Sequence, residues 1–216
     1  VAAIKLAKRI AGENRHATAD EQAILVKFVG WGGLKRELSD ARYDLINDGV
    51  FDDDEYHRAF ASTQNAHYTS PGIITALWQA VTDLGFTQGR VLEPSMGAGH
   101  FFGLAPADLR ATQMAGVELD TLSGLIARLL YPQAKVQVTG FQDATLPNDY
   151  FDLGISNVPF GNVHVADPAS KIPGFVRKTV HNYYFAKMLQ KARPGGLIAF
   201  ITTHGTLDAP TSQDVR

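Results

Sequence analysis

Between residues 90 and 202 the sequence alternates short apolar runs with segments of helical periodicity, and this limits the possible fold more than any other feature. The runs begin at Val91-Leu92 and recur at 114–118, 134–139, 151–156 and 196–202. Residues 122–130 and 183–192 carry apolar residues at helical spacing between them, and Pro194-Gly195 marks a turn before the last run. Strand-length runs alternating with helices predict an α/β domain built on a doubly wound, mostly parallel sheet. Such sheets bind ligands beyond the carboxyl ends of their strands. At those ends this sequence places Glu93, Glu118, Asp143 and Asn157.

The first of these ends opens into Pro94-Ser95-Met96-Gly97-Ala98-Gly99-His100-Phe101-Phe102. Gly97 and Gly99 give a turn whose backbone can approach a ligand closely, because no Cβ intervenes. Phe102 stands where a dinucleotide fingerprint would have its third glycine, and Glu93 beside the turn would repel a pyrophosphate. A cationic or amine ligand suits that carboxylate better. Glu118 follows Gly99 by nineteen residues, the spacing at which an acid holds ribose hydroxyls in nucleotide-binding βαβ units. S-adenosylmethionine meets these demands: an amino group for the glycine loop, ribose hydroxyls for Glu118, and an adenine amine for Asp143.

Asn157-Val158-Pro159-Phe160 ends the fourth run. The Asn157 side-chain carbonyl and the Val158 backbone carbonyl are two acceptors on one stiff turn. Together they can take both hydrogens of an NH2 group on a planar ring, with Phe160 stacked on the ring face. Accepting those hydrogens lets a conjugated amine pyramidalise and aim its lone pair at a sulfonium methyl. The bland alternative is a proline turn after a strand.

Residues 1–60 read as helical, with a Thr18/Glu21 capping box. Trp31 in Gly30-Trp31-Gly32-Gly33 is read as a packing anchor rather than a base-stacking ring. The acids 52–55 are read as a solvated first helical turn and not a metal site. Ser70-Pro71 starts a helix over 71–84 that Gly85 stops, which sets Tyr68 and Thr69 near the pocket. The long loop 161–180 carries Lys171, Arg177 and Lys178, the densest basic cluster near the proposed catalytic turn and hence the candidate phosphate contacts. Net charge is −2, so any nucleic-acid surface must be local. Cysteine is absent, which excludes disulfides, thiolate metal sites and a cysteine nucleophile. With no secretory signal and no membrane-length apolar run, a cytoplasmic location is the default expectation.

These motifs, in this order, resemble class I S-adenosylmethionine-dependent methyltransferases of the N6-adenine DNA type. The hallmark of that family is Asn/Asp/Ser-Pro-Pro-Phe/Tyr/Trp, and the resemblance covers roughly residues 66–208. Residues 30–34 and 62–71 resemble, more narrowly, the methylase region of large plasmid and phage methylase–helicase proteins, a restriction-modification context. The resemblance implies a Rossmann-like core over 66–216 with a helical segment over 1–65 packed on it. Its cofactor pocket would be lined by Tyr68, Thr69, Glu93, Ser95, Gly97, Gly99, Phe101, Glu118, Leu119, Asp143, Ala144 and Asn157. Asn157, Val158, Pro159 and Phe160 would hold the target adenine of DNA. Val158 replaces the family's first proline while keeping its carbonyl, and a proline restored there is expected to preserve or raise activity. Only 57 residues separate Gly99 from the Asn motif, too few for an inserted recognition domain. Sequence-reading parts are thus expected beyond Arg216, in further domains of a longer chain. Two other readings stay open. One is methyl transfer to RNA or to a protein glutamine; the other is a catalytically weak module that only binds.

Overall fold

A computed structural model of the chain describes residues 1–63, 68–109 and 113–208. Gln64 to His67, which belong to one stretch of the resemblance, and the expected boundary at 65/66 lie outside the described residues.

Five helices come first: α1 (Ala2–Gly12), α2 (Ala19–Leu25), α3 (Lys35–Asp40), α4 (Arg42–Asn47) and α5 (Asp53–Ser62). Two of them begin with reciprocal capping boxes, Thr18 with Glu21 and Asp52 with Glu55. The acidic run at 52–55 thus satisfies orphan backbone N–H groups and complements the positive end of α5. Buried residues of these helices (Ile4, Ile10, Leu25, Tyr56) and of the connection after α2 (Phe28, Trp31) form one apolar cluster that also takes in Ala98, Leu122, Ile126 and Leu129. Their apolar core is therefore shared with residues of the sheet-bearing part.

Next comes α6 (Pro71–Asp83), with Ser70 at its N-cap position, Pro71 at its start, and Gly85 at φ +94° just past its end. Ser70 makes no side-chain capping bond there. The remaining elements are β1 (Arg90–Glu93), α7 (His100–Gly103), β2 (Gln113–Glu118), α8 (Thr121–Leu130), β3 (Lys135–Val138), β4 (Phe151–Asn157), α9 (Val180–Lys191), β5 (Ala192–Ile201) and α10 (Gly205–Asp208).

The strands form one sheet in the order β3-β2-β1-β4-β5, every pairing parallel. From β1 the chain winds outward through β2 to β3, then returns to β4 on the other side of β1, so the direction of winding reverses between β1 and β4. The interiors of β1 and β4 are almost wholly buried, as expected of central parallel strands covered on both faces. The expected Pro194-Gly195 turn lies inside β5. Phe151 pairs Ala192 and Leu153 pairs Leu197, so residues 193–196 bulge out, with Gly195 at φ +76°.

Candidate active site

A cavity of about 530 Å³ lies at the carboxyl ends of β1, β2 and β4, where the winding reverses. Open α/β sheets bind ligands at this point because the loops leaving neighbouring strands part in opposite directions.

The floor follows from the glycine loop. Gly97 and Gly99 sit at φ +54° and +83°, left-handed values that favour glycine. The loop is tied down from both sides. Met96 N–H donates to the Val117 carbonyl at 3.0 Å, and Ser156 Oγ donates to the Ser95 carbonyl at 3.3 Å. Met96 tucks under the loop against Gly116, where a Cβ would stand 2.1 Å from its Sδ.

Two acids meet this floor. Glu118, at the end of β2, accepts Gly97 N–H at 2.6 Å and Asp120 N–H at 2.7 Å. Burial pushes its carboxyl up to about 7, against the pull of those backbone N–H groups. Glu93, at the end of β1, is 1% exposed. Burial first, and the neighbouring Glu118 second, hold its carboxyl well above the usual carboxylate range. Glu93 Oε2 has no hydrogen-bond partner among the described residues.

Across from these acids stands the turn after β4. Asn157 Nδ2 donates to Thr69 Oγ1 at 3.0 Å, which sets the amide so that its carbonyl is the acceptor end. Val158 is 1% exposed and its N–H donates to the Ile201 carbonyl at 3.2 Å. This bond corrects the expectation for Val158→Pro: a proline has no N–H, so the substitution would break the tie between this turn and β5.

Tyr68, Thr69, Glu93, Ser95, Gly97 and Phe101 line the cavity, as do Glu118, Leu119, Asn157, Val158 and Pro159. Phe101 is also buried in the core beneath, and its carbonyl accepts the Trp78 indole N–H at 2.9 Å. Four expected residues stand outside the lining. Gly99 is there to make room, since a Cβ would meet the Tyr131 ring at 2.5 Å. Asp143 is exposed and takes a hydrogen bond from Gln142, and Ala144 packs against the apolar cluster that holds Leu92, Val117 and Phe141. Phe160 follows the turn without reaching the lining.

The basic loop is held in place by its own contacts. It is pinned by buried Ile172 and Val176, and by Asp167, which receives the Tyr183 hydroxyl and the Lys187 ammonium of α9. Arg177 Nη1 donates to the Asp167 carbonyl at 3.1 Å, so this side chain braces the loop; Lys171 and Lys178 are exposed.

Sequence reasoning missed the contribution of the N-terminal helices. Trp31, Arg58 and Ser62 line the cavity, as does Tyr184 from α9. Trp31 is the expected packing anchor, set edge-on to Phe28 and Phe51, and its indole also donates to Asp120 Oδ2 at 3.3 Å. The glycines around Trp31 signalled a constrained turn, but nothing local signalled which surface it would face.

No protein-family model matches the chain. In an alignment of 197 positions that covers 85% of this chain, it is 31% identical to "Defense against restriction protein B" of Escherichia phage P1, and it spans only 9% of that protein. Among solved structures it is similar to a protein assigned as the modification subunit of a type I restriction enzyme from Vibrio vulnificus. The TM-score is 0.55 at 15% identity, covering 93% of this chain and 43% of that one. It is also similar to a protein assigned as a class I S-adenosylmethionine-dependent methyltransferase from Listeria monocytogenes, with a TM-score of 0.51 at 16% identity over 67% of this chain and 48% of the other. The chain thus has the Rossmann-like fold of the class I methyltransferases.

Proposed function

We propose that this chain binds S-adenosylmethionine and transfers its methyl group to the N6 amine of adenine in DNA. The observation that carries the reading is that one cavity holds both halves of the chemistry. Glu93 and Glu118 lie at the ends of β1 and β2, and the acceptor turn Asn157-Val158-Pro159 lies at the end of β4. The volume falls in the usual range for small-molecule sites, and the unpartnered Glu93 Oε2 is a buried acceptor that a cationic or N–H-bearing ligand would satisfy.

When bound, the cofactor supplies an electrophilic methyl on a sulfonium; the amine nitrogen gains the methyl, sulfur keeps the bonding pair as a neutral thioether, and one amine proton leaves to solvent. Glu118 can exchange its backbone N–H partners for ribose hydroxyls. Thr69 holds the Asn157 amide so that its carbonyl accepts an amine hydrogen, and the Val158 carbonyl can accept the second. Both acceptors gain strength as nitrogen pyramidalises, so they favour the transition state over the bound ground state. DNA is the favoured substrate because the acceptor pair suits an exocyclic ring amine and the proteins it is similar to include a phage defence-against-restriction protein and a restriction-enzyme modification subunit. The long phage protein of which it matches a small part supports a place within a larger polypeptide.

The test is incubation with methyl-labelled cofactor and DNA, RNA or mixed protein, followed by nucleoside digestion. Label recovered as N6-methyladenine from DNA is expected. Label confined to RNA or protein would redirect the substrate, and binding of S-adenosylhomocysteine without transfer to any of them would mark a module that binds but does not turn over.

A further inference from the structure

The charges of the cavity do not suit a zwitterionic ligand unless a residue outside the sheet takes part. Its described lining carries three acids, Glu93, Glu118 and Asp120. Asp120 is already occupied by Trp31 and Ser123. His100 also lines the cavity, but burial holds its pKa below the ordinary histidine value, so it is neutral at pH 7. Arg58 is the one permanently charged cation in the described lining.

Arg58 stands on α5, one turn before Ser62, and Arg58, Ala61 and Ser62 turn the same face of that helix to the cavity. It is exposed and makes no hydrogen bond, ion pair or ring contact in the described structure. Other cations around α5 are engaged: Lys8 with Glu55, and Arg42 with Asp53 and over the Tyr56 ring at 5.0 Å.

We propose that Arg58 is the α-carboxylate subsite of this cavity, supplied to the cofactor by the N-terminal helices. The inference rests on the S-adenosylmethionine reading and deepens it. The amino-acid end of that molecule carries an ammonium and a carboxylate about three bonds apart. Glu93 suits the ammonium or the sulfonium. The carboxylate, brought in beside acids that the bound ammonium and ribose draw into their ionised form, meets repulsion unless a cation answers it. A guanidinium answers it with two parallel N–H bonds, a geometry that also fixes orientation. A nucleic-acid phosphate is the competing partner for a free arginine. The carboxylate is favoured because Arg58 lines the cavity wall together with Ser62 and Tyr68, whereas the exposed Lys171 and Lys178 lie on a loop outside the lining.

The test uses two probes that differ only in this group, S-adenosylhomocysteine and its decarboxylated form, titrated calorimetrically into wild type, Arg58→Ala and Arg58→Lys. Arg58→Ala is expected to weaken S-adenosylhomocysteine about tenfold or more while leaving the decarboxylated probe unchanged, and Arg58→Lys to recover part of the loss. Equal losses for both probes, or none for either, would overturn the subsite while the cofactor reading stands. Unchanged probe affinity with a flatter salt dependence of DNA binding in Arg58→Ala would also overturn it, reassigning Arg58 to a phosphate. Failure of wild type to bind S-adenosylhomocysteine at all overturns the cofactor reading and this subsite together.

Discussion

Asp152 and Glu93 are carboxylates at opposite ends of the same sheet, and the chain treats them in opposite ways. Asp152, at the start of β4, is met by Arg90 at 2.9 Å and by Arg193, and it also takes Arg90 N–H at 2.7 Å. The Arg90 guanidinium above all holds its carboxyl well below the usual range. Glu93, at the end of β1, has no counterion among the described residues and is held well above that range by burial. A buried acid left uncompensated costs folding free energy, so a fold keeps one only where a partner from outside completes it. The amino-terminal edge of the sheet is closed upon itself; the carboxyl-terminal edge waits for a ligand.

The hardest test of that contrast is catalytic. On the proposed reading, Asn157→Ala removes an acceptor needed only as the amine pyramidalises. Single-turnover methylation of adenine-containing DNA should fall about a hundredfold or more, with S-adenosylhomocysteine affinity nearly intact. Wild-type rates in that variant would remove the turn from the chemistry. Next come two deletions of opposite kind. Glu118→Ala should weaken S-adenosylhomocysteine by roughly one to two orders of magnitude, the worth of charge-assisted bonds to ribose. Asp152→Ala should leave that affinity alone and instead lower stability by about 1–3 kcal/mol in urea unfolding, because it strands two arginines. If the two variants exchanged phenotypes, the division between the edges would be wrong.

The smallest effect is read in pH, and its signs differ between the edges. Asp152 is depressed when folded, so its contribution to stability is present above its unfolded pKa of about 4 and is lost as pH falls toward the folded value. Glu118 is raised to about 7 when folded. Between its unfolded value of about 4.3 and 7 the folded state holds the extra proton, so this group's contribution to stability declines as pH rises. A ligand that needs the ionised form must expel that proton. S-adenosylhomocysteine should therefore bind about tenfold more weakly at pH 6 than on a plateau above about pH 8. A flat profile would mean that Glu118 does not titrate on binding.

Much of this was legible in advance because parallel strands are short apolar runs whose last residue points to the ligand edge. Glu93, Glu118 and Asn157 were found that way, and all three line one cavity. Asp143 was assigned by the same rule and stands outside that lining. The rule fixes which end of a strand a residue follows, not which way the next turn aims its side chain, and this one is exposed outside the lining. Arg58, Ser62 and Tyr184 were invisible for another reason. Helical periodicity reports that a face is buried or wet, but not which distant element lies opposite. The pinned loop before α9 escaped because Asp167 and Lys187, twenty residues apart, pair only once the helix has folded back.

Met96 and Gly116 carry a consequence for sequence change. The Met96 sulfur occupies the space that a side chain at position 116 would need, so the two positions share one allotment of volume. Gly116→Ala alone requires the flexible end of the Met96 side chain to move out of that space. Paired with a smaller residue at 96, the same alanine fits. Change at position 116 is thereby easier beside a smaller residue at 96, and variants of this chain that gain a side chain at 116 should favour a smaller residue at 96.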